Sequence, residues 1–520
     1  MAGLVWRDGA TVRRNEPSIP EQDLDKLAWP VHRRPFDLYL GMPIVNLLGS
    51  RGCRYGCAFC SIAAWHRMCG GDRYRRRSAE NLAAEMGCLW REGVRIFNFH
   101  DDNFLGTDRN ENIAGALALR AALQQQGVGK IAFQIKARPD AVDPELFALL
   151  RSMGLFRVFL GIEAGTDASL RNLGRGQTVE DNERALALLH GLDLHLAFNL
   201  LVLNPESTLE DLEANVAFMR KHAGTPLNFC RTEVYAGTPL EKRLAAQRRL
   251  HGDYWGQDYV IADTRAQQAF EMAMLAFWDR NFGAHPLHYL SSQVDYEHQL
   301  RADFFGTDAS LRALAKGFIR KVNENTSAHL QSVIDAIRGN QASASFARAL
   351  ARKVAEDDVR LARDCKAVLD RIRNLSASPR RAARTNAAIA ASLAVALTGC
   401  PSPTPQVMEA APRPTYERPY DPDADTIGPQ VMEAAPYPTH PPEVPTEGPV
   451  IATAPDASAP DAASQDASAK DAGGKPDARP DAAKTKKGDP VPVEAKPPDY
   501  THMREAAPPP DERYQKMKRR

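Results

Sequence analysis

Between residues 43 and 245 the chain alternates short apolar runs with longer stretches of helical periodicity. The runs fall at 43–48, 94–100, 131–137, 156–163, 196–203 and 228–235, and each has the length and the bounding polar residues of a buried strand. The stretches between them, 78–91, 109–126, 144–153, 179–191 and 208–222, carry helix-start signals such as Pro144 and Thr208. Strands joined by helices must lie parallel, with right-handed crossovers. The pattern therefore predicts an α/β fold, a partial (β/α)6 TIM-like barrel. In such folds chemistry collects at the C-terminal ends of the strands.

Directly after the first run come Cys53, Cys57 and Cys60, on a Gly-rich loop in a CxxxCxxC array. Short spacings let neighbouring thiolates converge on one iron–sulfur cube. Three ligands leave one iron of a four-iron cube open to a small molecule. A zinc site would use Cys57 and Cys60 with Cys53, His66 or Cys69, but no second CxxC-like pair is present. Eight cysteines in 520 residues are too sparse for a disulfide framework.

Cys53, Cys57 and Cys60 resemble the cluster motif of the radical S-adenosylmethionine (SAM) superfamily, and Phe59 fits the aromatic found before its third cysteine. The resemblance implies a [4Fe-4S] cluster whose open iron chelates SAM. Reductive cleavage then gives a 5′-deoxyadenosyl radical that abstracts hydrogen from a substrate. The opening stretch, Gly3-Leu-Val-Trp-Arg-Asp-Gly9 with Asp23-Leu-Asp25, resembles the linker that precedes this domain in the B12-binding branch. No DxHxxG motif for cobalt ligation occurs. On this reading the cobalamin domain lies upstream of a truncated chain, or this member works without its own cobalamin.

The other strand ends supply the remaining candidates. The second ends in His100-Asp101-Asp102-Asn103-Phe104, resembling the form seen in the cobalamin-linked branch. Adjacent carboxylates are costly unless they meet a cation, and the resemblance implies that Asp101 or Asp102 contacts the SAM amine. On the third strand Arg138 is favoured over Lys136 for the SAM carboxylate, because a guanidinium offers a bidentate fork. Glu163 stands out on an apolar strand and resembles the glutamate of the family's Gly-Ile-Glu-Ser-Gly segment, with Ala164 in place of serine. Leu173-Gly-Arg175-Gly-Gln-Thr178 reads as a turn plus a helix cap. On the fifth strand Asn199 or Asn204 is the SAM-binding candidate. On the sixth, Arg231 and Tyr235 are placed toward substrate.

The domain reading is a linker over 1–42, a core over 43–245 and a helical C-terminal domain over 246–375. Tyr254-Trp255 and Phe277-Trp278 read as core or lid packing, and Pro286 interrupts any helical spacing of His285, His288 and His298. Residues 380–400 combine Arg380, Arg381 and Arg384, an Ala-rich apolar run and Leu397-Thr-Gly-Cys400, which is the form of a bacterial lipoprotein signal. Residues 401–520 read as a disordered Pro/Ala/Asp-rich tail, with Gln406–Pro412 repeated at Gln430–Pro436. About two-thirds of the 37 prolines lie beyond residue 400, so the globular part is the first 375 residues or so. The mid-chain signal suggests an enzyme joined to a small lipoprotein.

A net charge of +1 gives no electrostatic footprint for nucleic acid and argues against an RNA-modifying member. The expected partners are a small-molecule, lipid or peptide substrate and an electron donor such as flavodoxin or ferredoxin. A membrane partner enters only if 380–400 is functional. An oxygen-sensitive cluster points to the cytoplasm. The reading from a different class is a non-catalytic iron–sulfur or zinc scaffold tethered to a membrane.

Overall fold

The computed structural model describes residues 2–253, 256–283 and 286–376. The segment at 380–400, the tail at 401–520, Tyr254, Trp255 and His285 lie outside the described residues. In chain order the strands are β1 (Val5–Asp8), β2 (Thr11–Arg14), β3 (Asp37–Tyr39), β4 (Met42–Leu47), β5 (Ser50–Gly52), β6 (Tyr74–Arg76), β7 (Ile96–Phe99), β8 (Ala132–Ala137), β9 (Leu155–Leu160), β10 (His195–Leu203) and β11 (Leu227–Arg231), followed by a two-residue pair, β12 (Leu250–His251) and β13 (Asp258–Tyr259). The helices are α1 (Ser61–Cys69), α2 (Ala79–Arg91), α3 (Arg109–Gln125), α4 (Pro144–Ser152), α5 (Asp167–Asn172), α6 (Val179–Gly191), α7 (Leu209–Lys221), α8 (Pro239–Ala246), α9 (Thr264–Phe282), α10 (Leu287–Phe305), α11 (Ala309–Arg338) and α12 (Ala344–Ser376).

Seven strands form the main sheet in the order β11-β10-β9-β8-β7-β4-β3. The six from β4 to β11 are parallel, which is the expected partial barrel, and β3 adds an antiparallel edge. That edge was not foreseen: three residues are too few to show a period. The predicted strands at 156–163 and 228–235 stop early, at Leu160 and Arg231, because the chain turns there across the end of the barrel.

Alternation along the strands sorts the side chains. Val45, Leu47, Phe97, Phe99, Phe133, Ile135, Val158, Leu160, Phe198 and Leu200 face the helical layer and form one continuous core. Each such side chain contributes roughly 1.5–3 kcal/mol when fully buried. Ile44, Ile96, Ala132 and Phe156 face the other way, where Tyr296 and Leu300 of α10 plug the floor of the barrel. The helices start where side-chain caps allow. Ser78, Asp108 and Asp143 each accept a hydrogen bond from the first turn, and Thr178 and Thr208 form full capping boxes with Asp181 and Asp211. Helices α9 to α12 pack on one another and on the barrel, and Phe277 lies in the main core. Among the described residues no helix is long and apolar enough to cross a membrane.

Candidate functional site

The loop that carries the cysteines leaves the sheet at the end of β4 and is clasped by the small antiparallel pair β5–β6. Gly52 ends β5 at φ +85°, and a Cβ there would lie 1.9 Å from the Arg73 carbonyl oxygen, so the clasp closes only around glycine. Cys60 sits at the N-cap of α1. The loop is pinned from two further sides: the Ala58 amide donates to the Leu173 carbonyl at 2.8 Å, and its carbonyl accepts from the Leu240 amide at 2.9 Å.

The adjacent carboxylates after β7 hold the base of this loop from within. Asp101 is fully buried; its Oδ1 accepts from the Gly49 amide at 2.9 Å and its Oδ2 from the Ser50 hydroxyl at 2.6 Å. Burial pushes its carboxyl up to about 6, against the pull of those two donors. Asp102 is exposed, and its Oδ2 accepts from the Gly52 amide at 2.9 Å. It lines an open cavity of about 450 Å³ with Ser50, Ile62, Trp65, His66 and His100.

The three sulfurs feel one another. Burial pushes the Cys53 and Cys60 thiols up, and charge on Cys57 pushes both further. Cys57 is buried and receives two guanidiniums: Arg175 Nη1 at 3.3 Å and Arg138 Nη1 at 3.5 Å. Arg138 also forks onto Asp140, at 2.9 Å to each carboxylate oxygen, and stacks 3.8 Å from the Tyr55 ring centroid. Its bidentate face is therefore already engaged. Two residues earlier Lys136 faces the barrel interior, half-buried, opposite Phe159 in the register of β8 with β9. Phe59 packs on the edge of the main core.

Glu163 follows β9 at φ +63°, a left-handed conformation that costs a non-glycine residue about 1 kcal/mol or more. Its backbone is fixed there by β10, accepting from the Leu201 amide at 2.6 Å and donating to the Asn199 carbonyl at 3.3 Å. Burial pushes its carboxyl up, and Arg175 and then Arg138 pull it back. Asn199 is half-buried and alternates with Phe198 and Leu200 of the outer core, so it faces inward. Asn204 is fully buried and engaged, donating to Ser169 Oγ at 3.2 Å and accepting from the Glu206 amide at 3.0 Å.

Arg231 and Tyr235 separate. Arg231 lies between the rings of Tyr259 and Phe270, pairs with Asp258 and so turns toward β13 and α9. Tyr235 donates to Glu233 Oε2 at 2.8 Å, and burial pushes the Glu233 carboxyl up to about 7. Arg175 and Glu233 were not singled out from the sequence. Their importance comes from contacts made across the fold, and no local pattern carries that signal.

Three crowded thiols are unfavourable as thiolates unless cations come among them, and two guanidiniums already attend one of them. This donor set suits an iron–sulfur cluster, whose ligands are deprotonated sulfurs with hydrogen bonds from a surrounding shell. Among the described residues none of the seven cysteines forms a disulfide. Among the described residues no three His, Cys, Asp or Glu side chains converge closely enough to hold a single metal ion.

Residues 47–219 match the family model of the radical SAM superfamily. Over 265 residues the chain is 27% identical to an uncharacterized methyltransferase of Pyrococcus horikoshii, covering 50% of this chain and 55% of that protein. It is 27% identical over 185 residues to the hopanoid C-3 methylase of Methylococcus capsulatus, covering 35% and 32%. It is 26% identical over 193 residues to the anaerobic magnesium-protoporphyrin IX monomethyl ester cyclase of Synechocystis, covering 35% and 37%. The chain thus spans from about a third to just over half of these relatives' lengths. Among solved structures, the cobalamin-dependent S-adenosylmethionine radical enzyme OxsB aligns at TM-score 0.49 and 16% identity, covering 76% of this chain and 64% of that one.

Proposed function

We propose, from the match of residues 47–219 to the radical SAM family model, that the chain reductively cleaves SAM to start radical chemistry on an organic substrate. The observation that carries this reading is the placement of Cys53, Cys57 and Cys60 on a loop at the C-terminal end of the first parallel strand, gripped by both carboxylates from the end of the next. Cys53, Cys57 and Cys60 would hold a [4Fe-4S] cluster, which would supply the one electron that cleaves SAM to methionine and a 5′-deoxyadenosyl radical.

The chain's own residues divide the remaining work. Asp102 is the carboxylate open to the cavity and takes the SAM amine, while Asp101 is spent on the loop. With the Arg138 fork closed on Asp140, the ammonium of Lys136 is the better partner for the SAM carboxylate. Glu163, just past the end of β9, and Asn199, midway along the neighbouring β10, meet the nucleoside hydroxyls. Leu48, Ile62 and Trp65 give the cavity beside Asp102 an apolar wall that sets an organic substrate next to the loop and limits water. Methyl transfer or cyclisation is the reaction class suggested by the names of the relatives, with cobalamin as a second cofactor if it is supplied.

The test is anaerobic. The full chain is reconstituted with iron and sulfide, reduced with dithionite, mixed with SAM and assayed for 5′-deoxyadenosine. Product that disappears in Cys57→Ala is expected. A well-formed cluster that never cleaves SAM would overturn the reading in favour of a scaffold.

A further inference from the structure

Two arginines from different parts of the chain meet at one sulfur. Arg138 comes from the end of β8 and Arg175 from the turn after α5, and both donate to Cys57 Sγ. Arg138 is 5% exposed and Arg175 7%. The other two cysteines are attended by backbone amides instead: that of Tyr55 at Cys53, and those of Ile62 and Ala63 at Cys60. Arg138 also draws on Cys53 through space, but both hydrogen-bonded guanidiniums sit at Cys57, so that part of the field on the three sulfurs is one-sided.

Arg175 reaches further. The same Nη1 that faces the sulfur lies 3.6 Å from Glu163 Oε1. Nη2 is fixed by the Gly161 carbonyl at 2.5 Å and Gln177 Oε1 at 3.0 Å, so the guanidinium cannot swing away without losing both. We propose that Arg175 is an electrostatic bridge between the Cys57 sulfur and the Glu163 carboxylate, setting the cluster's reduction potential and coupling it to whatever Glu163 binds. This inference rests on the assignment of Cys57 as a cluster ligand.

The physical basis is the charge of the two redox states. Adding one electron to the bound cluster breaks no bond and moves no proton; it adds one negative charge near Cys57. An N–H donor and a positive charge at that sulfur stabilise the reduced state more than the oxidised one, which raises the potential. Glu163 works against this by placing a negative charge on the other side of the same guanidinium. A ligand that engages Glu163 frees more of the Arg175 charge for the sulfur.

The experiment is a redox titration of the reconstituted full chain, with dithionite as reductant and the reduced-cluster EPR signal as readout, with and without SAM. Arg175→Met is expected to lower the reduction equilibrium constant about 10-fold, or ~59 mV for one electron. Arg175→Lys keeps the charge and recovers part of the shift. Glu163→Gln moves the midpoint the opposite way and reduces the further shift that SAM induces. If Arg175→Met assembles no cluster, Arg175→Lys and Glu163→Gln decide, and midpoints equal to wild type in both overturn the proposal. A wild-type cluster whose midpoint is unmoved in Arg175→Met overturns this inference alone. A wild-type chain that takes up no iron overturns the assignment beneath it as well.

Discussion

At the floor of the barrel, His195 Nδ1 and Asp295 Oδ2 lie 2.7 Å apart, and Lys316 closes the other carboxylate oxygen at 2.7 Å. At the mouth, Arg138 and Arg175 surround a sulfur, and Asp102 and Glu163 stand at the strand ends. Both ends bury ionisable groups, but the floor resolves its charges internally. His195 and Asp295 are sealed between β10, α10 and α11, with the rings of Tyr296 and Phe156 beside them. The mouth leaves three sulfurs that would repel one another as thiolates and a carboxylate in strained backbone. The difference teaches that burial of charge alone does not mark a site; the mark is charge that the protein's own groups leave incompletely answered.

Removing one floor partner gives the largest expected effect. Asp295→Ala strands His195 and Lys316 and should cost ~3–5 kcal/mol, read from the chemical unfolding midpoint. The EPR signal per folded, reconstituted molecule should stay unchanged. If it changes in step, floor and mouth are not separable and the comparison fails.

At the mouth, Asp101→Ala leaves the Gly49 amide without its acceptor and the Ser50 hydroxyl with only the Asn103 carbonyl at 3.2 Å, at ~1–3 kcal/mol. Here the iron bound per chain should fall along with stability. Asp101→Asn keeps the Gly49 acceptor and is expected to retain more of both.

The two ends also respond to pH in opposite directions. Burial lowers His195 to about 4, so its folded form stays neutral where the unfolded form is charged, and the stability this gives is lost as pH falls from about 6.5 toward 4. Burial raises Asp101 to about 6, so its folded form stays protonated, and that stability is lost as pH rises from about 4 through 6. Lys316 and His195 outweigh burial at Asp295 and hold it low, so it adds acid sensitivity only below the ordinary carboxylate range. Between pH 4 and 6 the His195 and Asp101 slopes oppose each other. Asp101→Asn should remove one of them, making stability rise more steeply with pH by up to about 1.4 kcal/mol per unit. Equal slopes for wild type and variant would show that Asp101 titrates normally.

The smallest effect is expected away from both ends. Arg34 and Glu92 pair at 2.6 Å but are each nearly half exposed. Glu92→Ala should therefore cost under ~1 kcal/mol, and less in high salt.

Much of the barrel was legible because six apolar runs and their capping residues state it locally. The observed α6 runs from Val179 to Gly191, as its Thr178 cap and apolar period require. The clasp strands β5 and β6 and the short helix α5 were missed. Ser50-Arg51-Gly52 and Tyr74-Arg75-Arg76 have no apolar alternation, and six residues of α5 make less than two turns. The cysteine loop was legible from spacing. Which of Asp101 and Asp102 turns inward was not, since they adjoin each other after the strand has ended. Arg175 read as a turn residue because its partner at Cys57 lies 118 positions away.

The Asp101 latch has a consequence for how the protein matures. Gly49 and Ser50 are tied to Asp101 across 52 and 51 positions of chain by protein groups alone. The base of the cysteine loop is thus closed by contacts that use no iron. A cluster delivered to Cys53, Cys57 and Cys60 would then fill a receptacle whose base the protein itself holds, open on the side where Cys53 and Cys60 are partly exposed. A carrier handing over a finished cluster would need access to that side only.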